Sequence, residues 1–223
     1  MIVFLLGCEA EEATAVTEVN WAGFVYVGDG TDSEDRLSDG ALSLTMADVT
    51  VDGEQPYDDY PGFWEFVVPP GLPVNLRIEG SGALPTVWAG DTPTQDANWL
   101  GGSVFAATPR YVEDLFEALG EDGDDWVLGS DNIDVLVIGV PSDPEWTCGE
   151  VSLDVAGSAL VPSCWLANSE GEYTPVSGEA AAMVFAAVVP AGELVVRFRD
   201  AVEQYATQGG DVVLAYFFQD APT

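Results

Sequence analysis

LPVNLRIEG, residues 72–80, alternates without a slip: Val74, Leu76 and Ile78 fall on one side, Asn75, Arg77 and Glu79 on the other. Successive side chains of an extended chain point to opposite faces, so this stretch is a strand with one face in a core and one in water. ELVVRFRD, residues 193–200, repeats the device, setting Leu194, Val196 and Phe198 against Val195, Arg197 and Arg199. Further strands are expected in WAGFVYVG (21–28), GALSLTMADVTV (40–51), GFWEFVV (62–68), IDVLVIGV (133–140), GEVSLDV (149–155) and DVVLAYFFQ (211–219). Clusters of Gly, Pro and Asp separate them.

One segment departs from this period. TPRYVEDLFEALG, residues 108–120, spaces Val112, Leu115, Phe116 and Leu119 as one helical stripe, with Thr108 as N-cap, Pro109 in the first turn and Gly120 as the stop. EDGDDWVLGSDN, which follows, reads as a linker. On either side of it the chain repeats itself. The first half carries Gly23-Phe24-Val25, GALSL from Gly40 and VVPPG from Val67; the second carries Gly139-Val140, GEVSL from Gly149 and VVPAG from Val188. In both halves an alternating strand follows the last block, which implies duplication of one sandwich-forming unit.

Composition narrows the function. The chain holds five basic residues, all arginine (Arg36, Arg77, Arg110, Arg197 and Arg199), against 39 acidic ones, for a net charge of −34 and no histidine. Such a surface repels nucleic-acid phosphates, so no nucleic-acid partner is expected. It suits a salt-rich habitat or an acidic exported protein equally. With 48% hydrophobic residues, including seven Trp, ten Phe and seven Tyr, the chain has enough apolar surface to fold.

The blocks of the first half, Gly23-Phe24-Val25, Gly40-Ala41, Asp59-Tyr60-Pro61-Gly62-Phe63-Trp64-Glu65-Phe66 and Val68-Pro69-Pro70-Gly71, resemble the carboxypeptidase regulatory-like, or transthyretin-like, domain over residues 20 to 80. The resemblance implies a small antiparallel sandwich serving as an accessory or surface module, with no catalytic residues and no cofactor. The expected architecture is all-β: two tandem antiparallel β-sandwiches, immunoglobulin-like or transthyretin-like, joined by one short helix. The segments are 21–107 for the first sandwich, 108–130 for helix and linker, and 131–223 for the second sandwich.

The chain opens MIVFLLGCEAEE. Leu5-Leu6-Gly7-Cys8 resembles the lipobox of bacterial lipoproteins, which implies lipidation of Cys8 and a true start upstream of the short apolar run. Residues 1–8 are then a truncated signal with its lipobox and 9–20 an acidic tether. The expected location is a bacterial envelope, outer membrane or periplasmic face, with the bilayer as partner through acyl chains. With Cys8 committed to lipid, Cys148 and Cys164 are left as a pair, 16 residues apart, and a turn near Gly157 brings them together. Closing such a loop stabilises by about 3 kcal/mol.

Chemistry is scarce. Without histidine or lysine there is no Ser-His-Asp, Cys-His or Ser-Lys device and no Schiff base. Paired carboxylates leave glycoside hydrolysis as a remote alternative. DGTDSED (Asp29–Asp35) and EDGDD (Glu121–Asp125) gather oxygen ligands of the kind calcium takes. Trp64, Trp88, Trp99, Trp126 and Trp146 form either an exposed glycan-stacking platform or, more commonly in a sandwich, core. The expected role is thus a non-catalytic surface or periplasmic module with a protein or glycan partner, the alternative a calcium- or glycan-binding adhesive module.

Overall fold

The computed structural model describes residues 17–27, 36–37, 39–46, 49–54, 60–96, 104–128, 132–141, 146–168 and 172–215. The first half contributes β1 (Val19–Val27), β2 (Gly40–Met46), β3 (Val49–Asp52), β4 (Phe63–Val68), β5 (Pro73–Gly80), β6 (Thr86–Asp91) and β7 (Val104–Ala106). Helix α1 (Pro109–Ala118) and a 3-10 turn at Gly123–Trp126 follow. The second half contributes β8 (Asp134–Gly139), β9 (Trp146–Thr147), β10 (Val151–Val155), β11 (Ser158–Leu160), β12 (Ser163–Ala167), β13 (Tyr173–Val176), β14 (Ala181–Ala182), β15 (Val184–Pro190), β16 (Glu193–Phe198), β17 (Ala201–Ala206) and β18 (Val212–Ala215).

The repeat seen in the sequence is a repeat of topology. In the first half a three-stranded layer β4-β1-β7 lies over a four-stranded layer β3-β2-β5-β6; in the second, β15-β8-β18 lies over β11-β10-β16-β17. Register is kept as well. Gly23 pairs with Trp64 in the first half and Gly139 with Phe185 in the second. Likewise Leu42 pairs with Ile78 and Val151 with Phe198, while Leu76 pairs with Trp88 and Val196 with Glu203. The spatial cause is visible at Gly139, where a Cβ would lie 2.0 Å from the Phe185 ring; only glycine lets this aromatic lie across the neighbouring strand.

The architecture is an all-β sandwich, and the halves share a sheet: β18 pairs in parallel with both β8 and β6. The result is a nine-stranded sheet ordered β13-β12-β15-β8-β18-β6-β5-β2-β3. Together with β1 and β7, these pairings make the sandwiches mixed, whereas antiparallel pairing was expected throughout. The last strand of each unit returns beside its first in the same direction, as a crossover connection permits.

Burial explains each pattern. The central strand β8 is covered on both faces. Val135 and Val137 join Val151, Leu153, Leu194 and Val196 in one core, while Leu136 and Ile138 join Val112 and Phe116 of α1 in another. Its sequence is accordingly a continuous apolar run without alternation. Strand β5 is covered on one face only: Val74, Leu76 and Ile78 pack with Trp64, Phe66, Leu42 and Leu44. GALSLTMADVTV, expected as one strand, is the hairpin β2–β3, with Met46 opposite Val49.

Helix α1 matches its sequence signals. Thr108 Oγ1 accepts from the Tyr111 N–H at 3.0 Å. At the other end Gly120, at φ +81°, lets Glu121 N–H reach the Phe116 carbonyl at 2.9 Å while Gly120 N–H reaches Glu117 at 3.0 Å. Val112, Phe116 and Leu119 are buried against the sheet, and Trp126 stacks on Phe116 at 4.0 Å.

Candidate functional site

Where the two halves meet, the wall made by β17 rises from the polar face of β5 and β6 and leaves a cleft of about 1070 Å³. Pockets for small ligands run about 300–1,000 Å³, so this is a large groove. Its floor is the uncovered face predicted by LPVNLRIEG. Asn75 stands on that floor and hydrogen-bonds the edge of β17 twice, Nδ2 donating to the Gln204 carbonyl at 2.8 Å and Oδ1 accepting from Ala206 N–H at 2.6 Å. One side-chain amide thus makes the pair of bonds that a neighbouring strand would make.

Two residues give the wall its chemistry. Tyr205 is 2% exposed and donates its hydroxyl to the Glu203 carboxylate. Burial of the Glu203 carboxyl, only partly offset by that hydrogen bond, pushes its pKa up to about 7. Burial, together with Glu203 itself, raises the phenol of Tyr205 well above its ordinary value. Glu203 therefore takes and releases a proton near neutrality, although the chain has no histidine.

Beside the cleft an ion pair ties the halves together. Arg77 Nη1 lies 2.6 Å from Asp211 Oδ2, and its Nε lies 2.7 Å from Glu79. Asp211 is completely buried and also accepts from Gln208 N–H at 2.7 Å. Burial opposes the Arg77 charge, but the carboxylates of Asp211 and Glu79 outweigh it and raise the pKa.

Other residues singled out from sequence lie as follows. Cys148 and Cys164 form a disulfide with Cα atoms 5.9 Å apart. The turn at Gly157 forms a hairpin, β10–β11, but Cys164 lies beyond it on β12. The bridge therefore joins the 3-10 turn Cys148–Glu150, which leads into β10, to β12 of the nine-stranded sheet, not two strands of a hairpin, and both cysteines sit in one core. Cys8, Asp29–Asp35 and Trp99 lie outside the described residues. In the second acidic run, Asp122 caps the 3-10 turn by accepting from Asp124 N–H at 3.3 Å. Among the described residues no three His, Cys, Asp or Glu side chains gather to hold a metal.

The four aromatic candidates among the described residues are buried or half-buried. Trp64 and Trp146 are 0% and 1% exposed. Trp88 is half-buried, and its indole N–H donates to the Phe105 carbonyl at 2.7 Å. Trp126 is half-buried under α1. Asn75, Glu203, Tyr205 and Asp211 were not anticipated; the only advance signal was an arginine, one of five, on the polar face of a strand.

The fold and cleft together define a duplicated all-β sandwich with a groove at the junction of its halves. No protein-family model matches the chain, and no curated protein matches it. Among solved structures it is similar to the Bacillus anthracis TIE protein, at 9% identity over 89% of this chain with a TM-score of 0.27. The chain spans about a third of that protein, 33% of its length. It is also similar to the shaft pilin spaA from Lactobacillus rhamnosus GG, at 8% identity over 92% of this chain and 100% of the other, with a TM-score of 0.26. A third similarity is to CBMbc (family CBM26) from Eubacterium rectale Amy13K in complex with maltoheptaose, at 9% identity over 90% and 98% of the two chains, with a TM-score of 0.22.

Proposed function

We propose that the chain is a non-catalytic binding or structural module of a bacterial cell envelope, held to the membrane by lipid on Cys8, with a protein or glycan partner. The observation that carries this reading is the buried Cys148–Cys164 disulfide, which ties the turn before β10 to β12 inside the core of the second half. Such bonds persist in oxidising compartments outside the cytosol. The lipobox-like Leu5-Leu6-Gly7-Cys8 and the acidic stretch behind it supply the anchor and tether. Among the described residues no helix is long and apolar enough to cross a membrane. The carboxypeptidase regulatory-like blocks support an accessory role: Gly23-Phe24-Val25 lies in β1, and Gly62, at φ +73°, forms the turn into β4.

Metabolic labelling with an alkyne fatty acid, in cells expressing the gene with its upstream codons, tests the proposal. Label on the wild-type protein and none on Cys8→Ser is expected, with the wild type in the membrane fraction. Unlabelled wild-type protein, found with the cytosolic fraction, overturns it.

A further inference from the structure

The duplication shows which strand edge has been left open. Register equates β6 with β17, because Trp88 and Glu203 face equivalent partners, Leu76 and Val196. It therefore equates Val87 with Val202. In the first half the edge of β6 is taken by β18, which lies parallel with Val213 opposite Val87. In the second half β17 is the last strand of its layer, and among the described residues no strand pairs beyond it. Asn75 already bonds the Gln204 carbonyl and the Ala206 N–H on this side. Since alternate residues of an antiparallel pair direct both N–H and C=O to the same side, those of Val202 face the cleft as well. Val202 is 47% exposed where its counterpart Val87 is 1% exposed.

We propose that the edge of β17 at Val202–Gln204 is a docking site for an extended, lysine- or arginine-bearing segment of a partner protein. The segment adds as a parallel strand, just as β18 adds to β6. Main-chain hydrogen bonds supply the affinity in such strand addition, and side chains at alternate positions supply the selectivity. Charge chooses the occupant. Asp91 and Glu193 line the groove with no arginine among its lining residues, on a chain of net charge −34. The acidic stretch EAEE at residues 9–12 of this same chain is thereby disfavoured. The inference rests on the reading of the chain as a binding module but not on its anchor: the fatty-acid label tests attachment and leaves this site untouched.

The test uses the folded chain with three peptides: acetyl-KVKVKVK-amide, its glutamate counterpart acetyl-EVEVEVE-amide, and acetyl-KPKPKPK-amide, which has the same charge but cannot form a strand. Calorimetric titration is expected to show binding of the lysine-valine peptide alone, and amide exchange at Val202 and Gln204 is expected to slow when it is present. Val202→Pro removes the outward N–H while sparing the bonds to β16, a position where an edge strand tolerates proline. It is expected to weaken binding by about tenfold or more, since a lost edge hydrogen bond with a steric block is worth at least that factor. Val202→Thr should bind as the wild type does. Four results overturn the proposal: no peptide binding, equal binding of the proline peptide, unchanged exchange at Val202 and Gln204, or self-association of the chain abolished by Val202→Pro, which would make a second copy the occupant.

Discussion

Replacing Glu203 by glutamine should flatten the pH dependence of stability between pH 5 and pH 8. The folded-state pKa of about 7 lies above the ordinary 4.5, so the native state holds a proton that the unfolded chain has already released. The sign follows: the favourable term is fully present below pH 4.5 and is lost as the pH rises through 7. Integrated between pH 5 and pH 8, a shift of this size corresponds to about 2.5 kcal/mol, and contact of part of the carboxylate with solvent reduces this to about 2 kcal/mol. The Glu203→Gln variant is neutral throughout and keeps an acceptor for the Tyr205 hydroxyl. Urea unfolding of both proteins at pH 5 and pH 8 isolates the group, because the other carboxylates are common to the pair and no histidine titrates in this window. The variant should gain about 2 kcal/mol on the wild type in going from pH 5 to pH 8. Parallel changes in the two proteins would refute a buried, proton-holding Glu203.

Three other perturbations probe the frame. Asp211→Ala should cost about 3–5 kcal/mol in urea unfolding because it leaves Arg77 without its buried partner, and the double variant Arg77→Met/Asp211→Leu should recover most of that loss. Cys148→Ser/Cys164→Ser should lower stability by about 3 kcal/mol through the freed unfolded chain, and the same loss should follow reduction of the wild type. Gly139→Ala should be far more damaging than Gly157→Ala at first contact, since a Cβ at Gly139 meets the Phe185 ring at 2.0 Å whereas at Gly157 nothing lies within 4 Å; Gly157 carries only the strain of φ +83°. Thermal melts rank the two.

How far the fold could be read from sequence depended on what each strand faces. LPVNLRIEG was legible because β5 packs apolar residues on one side and turns polar ones to the other, Asn75 to the cleft floor and Arg77 to the ion pair with Asp211. The helix was legible because both its caps are local, spelled by Thr108, Pro109 and Gly120. Strand β17 was not recognised, because Glu203 faces inward beside the buried Tyr205 while Val202 and Ala206 are exposed, which leaves no regular alternation of polar and apolar residues. The cleft was beyond reach for a different reason: Asn75 and Gln204 meet across 129 residues of sequence, and no local pattern encodes that meeting. The cysteine pair followed from counting, whereas its path from the turn before β10 to β12 depended on β12 leaving the hairpin for the other sheet. The shared blocks did disclose the duplication, because Gly23 and Gly139 take the same place in the register, each opposite a large aromatic, and at Gly139 the Phe185 ring leaves no room for a Cβ.

The account of an exported, anchored, disulfide-locked module is tested most directly by the intact mass of the protein isolated from its own cells without reducing agent. The expected mass is that of a chain that begins at Cys8 and carries acyl groups there, with no thiol reactive to alkylation until reduction, when Cys148 and Cys164 both react. A chain with an unmodified Cys8 and three thiols that alkylate without reduction would contradict it.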